Sequence, residues 1–141
     1  MLLTLARRKR IAGLVLVAPA ADFTIELLWK HMPAEGRRQI RDQGMWLRPS
    51  AYDDGPYPIT RALIEESRDH LVLDDPIPFE GPVRILHGLQ DDTIPVRHIL
   101  RTAQAITSND IEITLIKNGD HRLSEAGDLA KLRAAVNELS R

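Results

Sequence analysis

An acid and an imidazole each follow an apolar run in the last 60 or so residues of the chain. The run at 83–86 leads into His87 and Gly88 and then Asp91, and the run at 111–116 leads towards His121. A carboxylate that accepts a hydrogen bond from an imidazole N–H fixes the tautomer of the ring and stabilises its protonated form. This order therefore favours general acid–base chemistry in which Asp91 orients His121.

The nucleophile that such a pair would serve is not evident in the sequence. No Gly-x-Ser-x-Gly pattern occurs in the 141 residues, and there is no cysteine to replace the serine. That pattern is the usual turn from which a serine works with a later acid and a still later histidine. The sequence thus predicts the last two members of a Ser…Asp…His triad without the first.

Simpler interpretations exist for each residue taken alone. An aspartate in a turn before a helix is common, and a loop histidine commonly bonds to backbone groups. Asp92, the neighbouring candidate, is expected to cap the next helix or to be solvated, and Asp22 is expected to have a capping or loop role. His87 is expected to shape the turn with Gly88. It is the pair of Asp91 and His121, in this order and in these loops, that favours chemistry.

Composition excludes several classes of function. A net charge of −1 gives no electrostatic basis for binding nucleic acid or an anionic membrane surface. The absence of cysteine excludes disulfides and thiolate metal sites and is compatible with the reducing cytoplasm, where we expect the protein. No apolar segment is long enough to span a bilayer. The remaining histidines show no metal-binding spacing, so we expect neither a metal nor an organic cofactor; they are His31, His70 and His98.

The pattern of apolar residues predicts strands that alternate with helices, which is typical of a parallel sheet with helices packed on it. The predicted strands are 14–18, 83–87 and 111–116, and the predicted helices are 25–31, 33–44, 58–69, 96–107 and 125–139. We expect Thr24 and Ser124 to cap two of these helices, Pro33 to open one and Gly44 to end it. Residues 45–58 are expected to form an ordered loop.

The basic residues at 7–10 precede an apolar stretch and could be read as a signal peptide. We favour a helix that ends in cations, which its dipole stabilises, followed by a buried strand. Residues 1–9 have no entry turn or cap, so the chain is expected to begin inside a helix.

Several segments together resemble the C-terminal part of α/β-hydrolase-domain serine esterases. The resemblance is strongest to the group of mitochondrial acyl-protein thioesterases that also cleave acyl glucuronides, with their bacterial relatives. It extends over nearly the whole chain, and the matching segments are 16–20, 22–24, 57–60, 63–65, 84–88 and 120–122.

The resemblance implies an α/β fold that is the C-terminal part of an α/β-hydrolase, with a parallel sheet remnant of about three strands, flanking helices and a helical lid insertion. Asp91 matches the triad acid and His121 the triad histidine. Residues 22–75 match the lid that shapes the acyl-binding side of the pocket, and residues 83–141 match the acid- and histidine-bearing core. The catalytic serine, the first five strands and the oxyanion-hole loop of the family would all precede Met1.

We therefore expect part of a serine hydrolase for ester or thioester bonds, inactive by itself, whose substrate is a small molecule or an acylated protein. The chain would be a fragment, the product of a start codon assigned too late, or a true truncated product that needs a complementing N-terminal half or self-associates. A non-catalytic half-domain that binds acyl groups or another protein is the alternative. A small doubly wound binding module would not explain the acid and the histidine in triad order, and the chain lacks its Gly-rich phosphate loop.

Overall fold

A computed structural model describes residues 11–49 and 55–140. The chain divides into two compact units. One, called here the core unit, comprises the described residues of Met1–Ala21 and Val72–Arg141, and the other, the insert unit, is Asp22–Leu71. The elements in chain order are β1 (Leu14–Val17), α1 (Thr24–Trp29), α2 (Ala34–Gln43), β2 (Met45–Arg48), β3 (Tyr57–Thr60), α3 (Arg61–Arg68), β4 (Val83–Gly88), α4 (Val96–Ala105), β5 (Ile111–Ile116) and α5 (Ala126–Leu139).

The core unit is built on a three-stranded parallel sheet in the order β1-β4-β5. Val83 at the start of β4 is opposite Leu14 of β1 and Ile111 of β5, so the three strands begin together, whereas β1 ends at Val17, opposite Leu86. All six residues of β4 are buried, as expected of a central strand covered on both faces. The predicted α/β fold with about three parallel strands is confirmed.

A salt-bridge cluster lies at the start of β4 and β5. The Arg84 guanidinium donates to Glu138 of α5 through Nε at 2.9 Å and Nη2 at 2.6 Å, and to Asp110 through Nη1 at 2.7 Å. The hydrogen bonds to Glu138 and then to Asp110 raise the pKa of Arg84 above its ordinary value. These contacts attach the end of α5 to the sheet through a nearly buried cation whose charge is paired.

The insert unit contains an antiparallel hairpin where the sequence predicted a loop. β2 pairs with β3 so that Trp46 is opposite Ile59 and Leu47 is opposite Pro58. Trp46 of β2 packs on a small core of buried side chains from β3, the three helices of this unit and the turn between α1 and α2, namely Leu28, Met32, Ile40, Ile59 and Ile64. A Cβ at Gly36 would lie 2.8 Å from the Trp46 ring, so only glycine allows α2 to approach it this closely.

The starts of three helices and their capping residues differ from the predicted ones. Because residues 57–60 belong to β3, α3 begins at Arg61 and Thr60 is its cap, with Oγ1 accepting from Leu63 N at 3.1 Å. The expected caps Thr24 and Ser124 are wrong, since α1 and α5 follow Phe23 and Glu125 without a side-chain capping bond. α1 has π-type bonding in place of the predicted α-helix.

The prediction for the end of α2 is confirmed, while its start lies one residue later than expected. Gly44 follows α2 at φ +81° in the left-handed region that glycine tolerates, and Pro33 precedes its first residue. The predicted helix at 1–9 lies outside the described residues. Among the described helices, none combines the length and the apolar character needed to cross a membrane.

Candidate active site

The loops after β4 and β5 are joined by backbone hydrogen bonds beyond the ends of the strands. Leu89 N donates to Ile116 O at 2.9 Å, and Gln90 N donates to Gly119 O at 2.9 Å. The parallel ladder therefore continues into the two loops that contain Asp91 and His121. Their relative position is set by the sheet itself.

Gly88 allows these loops to approach each other closely. A Cβ at this position would lie 2.2 Å from the carbonyl oxygen of Gly119 and 2.6 Å from that of Asp120. Both contacts are with backbone atoms, which cannot rotate away as a flexible side chain could. The chain therefore requires glycine at position 88 to keep the present distance between the loops.

Asp91 is held by three hydrogen bonds, and its side chain is fully buried. Oδ1 accepts from Thr93 N at 2.8 Å and from Ile94 N at 2.9 Å, whereas Oδ2 lies 2.9 Å from Nδ1 of His121. Burial acts to raise the pKa of Asp91, but the hydrogen bonds from Ile94, His121 and Thr93 outweigh it and hold the pKa below its ordinary value. The carboxylate is thus ionised and fixed in orientation.

Hydrogen bonds join the residue before His121 to the two residues after it. Oδ1 of Asp120 accepts from Arg122 N at 3.0 Å and from Leu123 N at 2.9 Å, closing a tight turn around the histidine. Leu123, at φ +46°, is buried against Leu86 and neighbours of the core unit. The His121 side chain itself is 41% exposed, so the ring is positioned by its surroundings and still accessible to solvent.

The contact between the two predicted residues defines what the site can do. Asp91 engages Nδ1 of His121, which leaves Nε2 as the nitrogen that can accept and return a proton. An ionised, buried carboxylate also stabilises the imidazolium that forms when Nε2 is protonated. The arrangement is that of a general base with its orienting acid. The catalytic role of the pair stays a prediction.

Asp92 and Asp22, the other acids weighed from the sequence, lie elsewhere. Asp92 is exposed, and its Oδ1 accepts from the Thr93 hydroxyl at 3.1 Å. Asp22 belongs to the insert unit, where its backbone carbonyl accepts from Ile25 N and Glu26 N at 3.0 and 2.8 Å. These placements agree with the capping or solvated role expected of Asp92 and with the capping or loop role expected of Asp22.

His87 is the residue whose place the sequence did not reveal. It was expected only to shape the turn, but its ring is buried, with Nδ1 at 3.7 Å from Oδ2 of Asp91. Burial, reinforced by His121, lowers the pKa of His87 against the opposing effect of Asp91. His87 and Asp91 are four residues apart in the sequence. That spacing predicts a contact only within a helix, and here His87 is in a strand and Asp91 in the loop that follows it.

The serine hydroxyls at positions 67, 108 and 140 are engaged with backbone. They donate to the carbonyl oxygens of Ile64, Gly81 and Val136 at 2.9, 2.7 and 2.8 Å. Ser50 lies outside the described residues. In residues 11–49 and 55–140 no group of three or more acidic or histidine side chains is arranged to hold a metal ion.

The fold has counterparts among known proteins. The chain is similar to a solved putative hydrolase from Agrobacterium vitis S4, with a TM-score of 0.89 and 32% identity over 98% of this chain and 54% of that one. It is also similar to the solved alpha/beta hydrolase domain-containing protein 10 from mouse, with a TM-score of 0.83 and 34% identity. No protein-family model matches. The chain therefore has the fold of about half of an α/β-hydrolase.

Curated relatives specify the branch. The bovine mitochondrial palmitoyl-protein thioesterase ABHD10 is 35% identical over 136 residues, which are 96% of this chain and 44% of that protein, and the human protein is 33% identical over the same length. The chain is thus related to the ABHD10 thioesterases, as the resemblance in its sequence implied. It spans about half the length of the curated relatives it matches.

Proposed function

We propose that the chain supplies the acid and the base of a serine hydrolase that acts on carboxylic esters or thioesters. The observation that carries this proposal is the 2.9 Å contact between Nδ1 of His121 and Oδ2 of the buried, ionised Asp91. It makes Nε2 the basic nitrogen of the ring and leaves it on the side away from the acid. The names of the relatives, which include palmitoyl-protein thioesterases, support the choice of bond.

In the proposed reaction, a serine hydroxyl attacks the acyl carbonyl while Nε2 of His121 removes its proton. The imidazolium, stabilised by Asp91, then returns that proton to the leaving alcohol or thiol, which departs as the tetrahedral intermediate collapses. A water molecule, deprotonated by the same nitrogen, then attacks the acyl-enzyme. The acid leaves as the imidazolium returns that proton to the serine oxygen. Metal ions and organic cofactors have no part in these steps.

We propose further that the nucleophile is not among the serines of these 141 residues, because none is set in a Gly-x-Ser-x-Gly turn. The substrate would be a small molecule or an acylated protein. The insert unit corresponds to most of the predicted lid segment, and its role in binding the acyl chain stays a prediction.

The isolated chain should consequently show no covalent labelling by a fluorophosphonate and no burst with p-nitrophenyl esters, since both require an activated serine. Intact-mass spectrometry after incubation with the probe is the measurement. A stoichiometric adduct at one of the five serines that disappears in His121→Ala would show that the chain contains its own nucleophile. The serines to be mapped are Ser50, Ser67, Ser108, Ser124 and Ser140.

A further inference from the structure

Two imidazoles converge on one carboxylate oxygen. Oδ2 of Asp91 lies 2.9 Å from Nδ1 of His121 and 3.7 Å from Nδ1 of His87. Asp91 and His87 are both almost completely buried, with 0% and 1% of their side chains exposed. His121 accounts for the proposed acid–base role of the pair, but the function assigned so far makes no use of His87.

The Nδ1 atom of His87 is buried and has no hydrogen-bond partner within the usual distance. A polar atom in this situation is costly unless a nearby group compensates it. The charged oxygen of Asp91, 3.7 Å away, attracts an N–H but repels a bare nitrogen lone pair. Of the two neutral tautomers, the one with hydrogen on Nδ1 is therefore favoured.

The charges around the ring support a neutral imidazole. Burial and the neighbouring His121 both lower the pKa of His87, and the opposing influence of Asp91 is smaller than that of burial. A neutral N–H can stabilise the carboxylate without introducing a second cation that would compete with a protonated His121 for the same oxygen.

We propose that His87 is a positioning residue for Asp91: its neutral ring, with hydrogen on Nδ1, directs a second N–H at Oδ2 from within the core unit. This inference rests on the proposed acid role of Asp91 and extends it. His121 is 41% exposed, so its ring has room to turn or shift when it exchanges protons with a substrate. During such an excursion, His87 keeps Oδ2 stabilised and Asp91 ionised, so the acid is in place when His121 returns.

The tautomer can be measured on the unaltered chain. Nitrogen-15 chemical shifts of the imidazole distinguish a protonated from a bare ring nitrogen. Magic-angle-spinning NMR can record them even if the protein self-associates. At neutral pH we expect the Nδ1 of His87 to be the protonated nitrogen. A bare Nδ1 with hydrogen only on Nε2, or a doubly protonated ring, would overturn the proposal.

Variants at position 87 test the consequence for Asp91. The side-chain nitrogen of Asn is as many bonds from Cα as Nδ1, and that of Gln as many as Nε2. His87→Leu and His87→Gln should raise the pKa of Asp91 by about 0.5, the order expected on losing one weak N–H donor. His87→Asn should keep it close to the original value. Titration of the carbon-13 carboxyl resonance of Asp91 gives these values directly.

An equal effect of all three substitutions would show that position 87 matters only for packing, and would overturn the positioning role. The wild-type nitrogen shifts decide the question even if a variant does not fold. Neither measurement uses enzymatic activity. The role of His87 and the hydrolase proposal can therefore fail separately. If His87 has the expected tautomer but no hydrolase activity is found, only the hydrolase proposal fails.

Discussion

At Asp91, burial and hydrogen bonding act on the pKa in opposite directions. Removing the carboxylate from water favours its protonated form, whereas the N–H groups of Ile94 and Thr93 and the ring of His121 favour the ionised one. The hydrogen bonds outweigh the burial, so folding and ionisation of this group are coupled. A residue that orients a base by its charge needs this outcome, because a protonated acid would be a much weaker partner.

The coupling predicts how stability depends on pH. Because the pKa of folded Asp91 is below the ordinary 3.8, its contribution to stability is complete above 3.8 and is lost as the pH falls from there through the lower pKa of the folded state. Asp91→Asn should lower the free energy of unfolding at neutral pH by about 1–3 kcal/mol and flatten the decline in acid. Asp92→Asn, at an exposed neighbour, is the matched control and should keep the wild-type profile. Urea unfolding between pH 2 and pH 7 gives these curves, and an Asp91→Asn profile parallel to the wild type would contradict the account.

The sequence was sufficient to identify Asp91 and His121 as candidates but not His87. The first two follow strands that end at one edge of a parallel sheet, so chain order alone brings them near each other. Whether His87 lies near Asp91 depends on how the backbone turns after β4, where Gly119 closely approaches Gly88. Contacts between distant parts of the chain determine this arrangement, and the local sequence pattern does not predict such contacts.

At the scale of the elements, the site depends on how closely the loops after β4 and β5 approach. Gly88→Ala should push the backbone of Gly119 away, because the new methyl group would otherwise lie 2.2 Å from its carbonyl oxygen. We expect a loss of about 1–3 kcal/mol, the usual cost of overpacking, and a weaker contact between Asp91 and His121. Thermal unfolding and the imidazole resonances of His121 measure the two effects.

Gly127→Ala is the matched control for that substitution. The nearest atom to its added Cβ is the end of the flexible Lys131 side chain at 3.9 Å, and Gly127 lies in the first turn of α5. The change should be neutral or stabilise by up to about 1 kcal/mol, since alanine favours helix. Equal effects of the two substitutions would show that the loops are less closely packed than the structure indicates.

The elements of the core unit followed from the sequence better than those of the insert unit. Short segments rich in apolar residues, lying between predicted helices, identified the three parallel strands. The hairpin β2-β3 was not recognised, because Pro58 and the loop-forming residues around it argue against a strand. Pro58 is nevertheless tolerated in β3, and Trp46 and Ile59 on the opposite face of the hairpin pack into the core of this unit. Tertiary packing outweighed local propensity here.

At the scale of the whole molecule, the sheet has β1 at one edge of its described part. Leu14 and Leu16 are buried as in an interior strand, while Val17 at the end of β1 is 38% exposed. An apolar edge strand is a template for pairing with another chain. We therefore expect the chain to self-associate, or to stay dispersed only with a complementing N-terminal half.

Light scattering tests this expectation. Val17→Lys should reduce association, because a charged edge residue discourages strand pairing. Leu129→Lys is the control, since Leu129 is similarly exposed at 44% but lies on α5. A monodisperse wild-type monomer with a cooperative melt and no binding of a hydrophobic dye would contradict the expectation and favour an independent small domain.

The central claim is that Asp91 and His121 are the acid and the base of a hydrolase, and a chimera tests it most directly. Residues 1–141 would replace the matching half of the Agrobacterium vitis hydrolase, which has a TM-score of 0.89 to this chain. A chimera that melts cooperatively should hydrolyse p-nitrophenyl esters with a burst. His121→Ala and Asp91→Asn should each lower kcat by about 10⁴-fold, whereas Asp92→Asn and His70→Ala should leave it unchanged. A folded chimera whose activity survives the loss of Asp91 or His121 would contradict the claim.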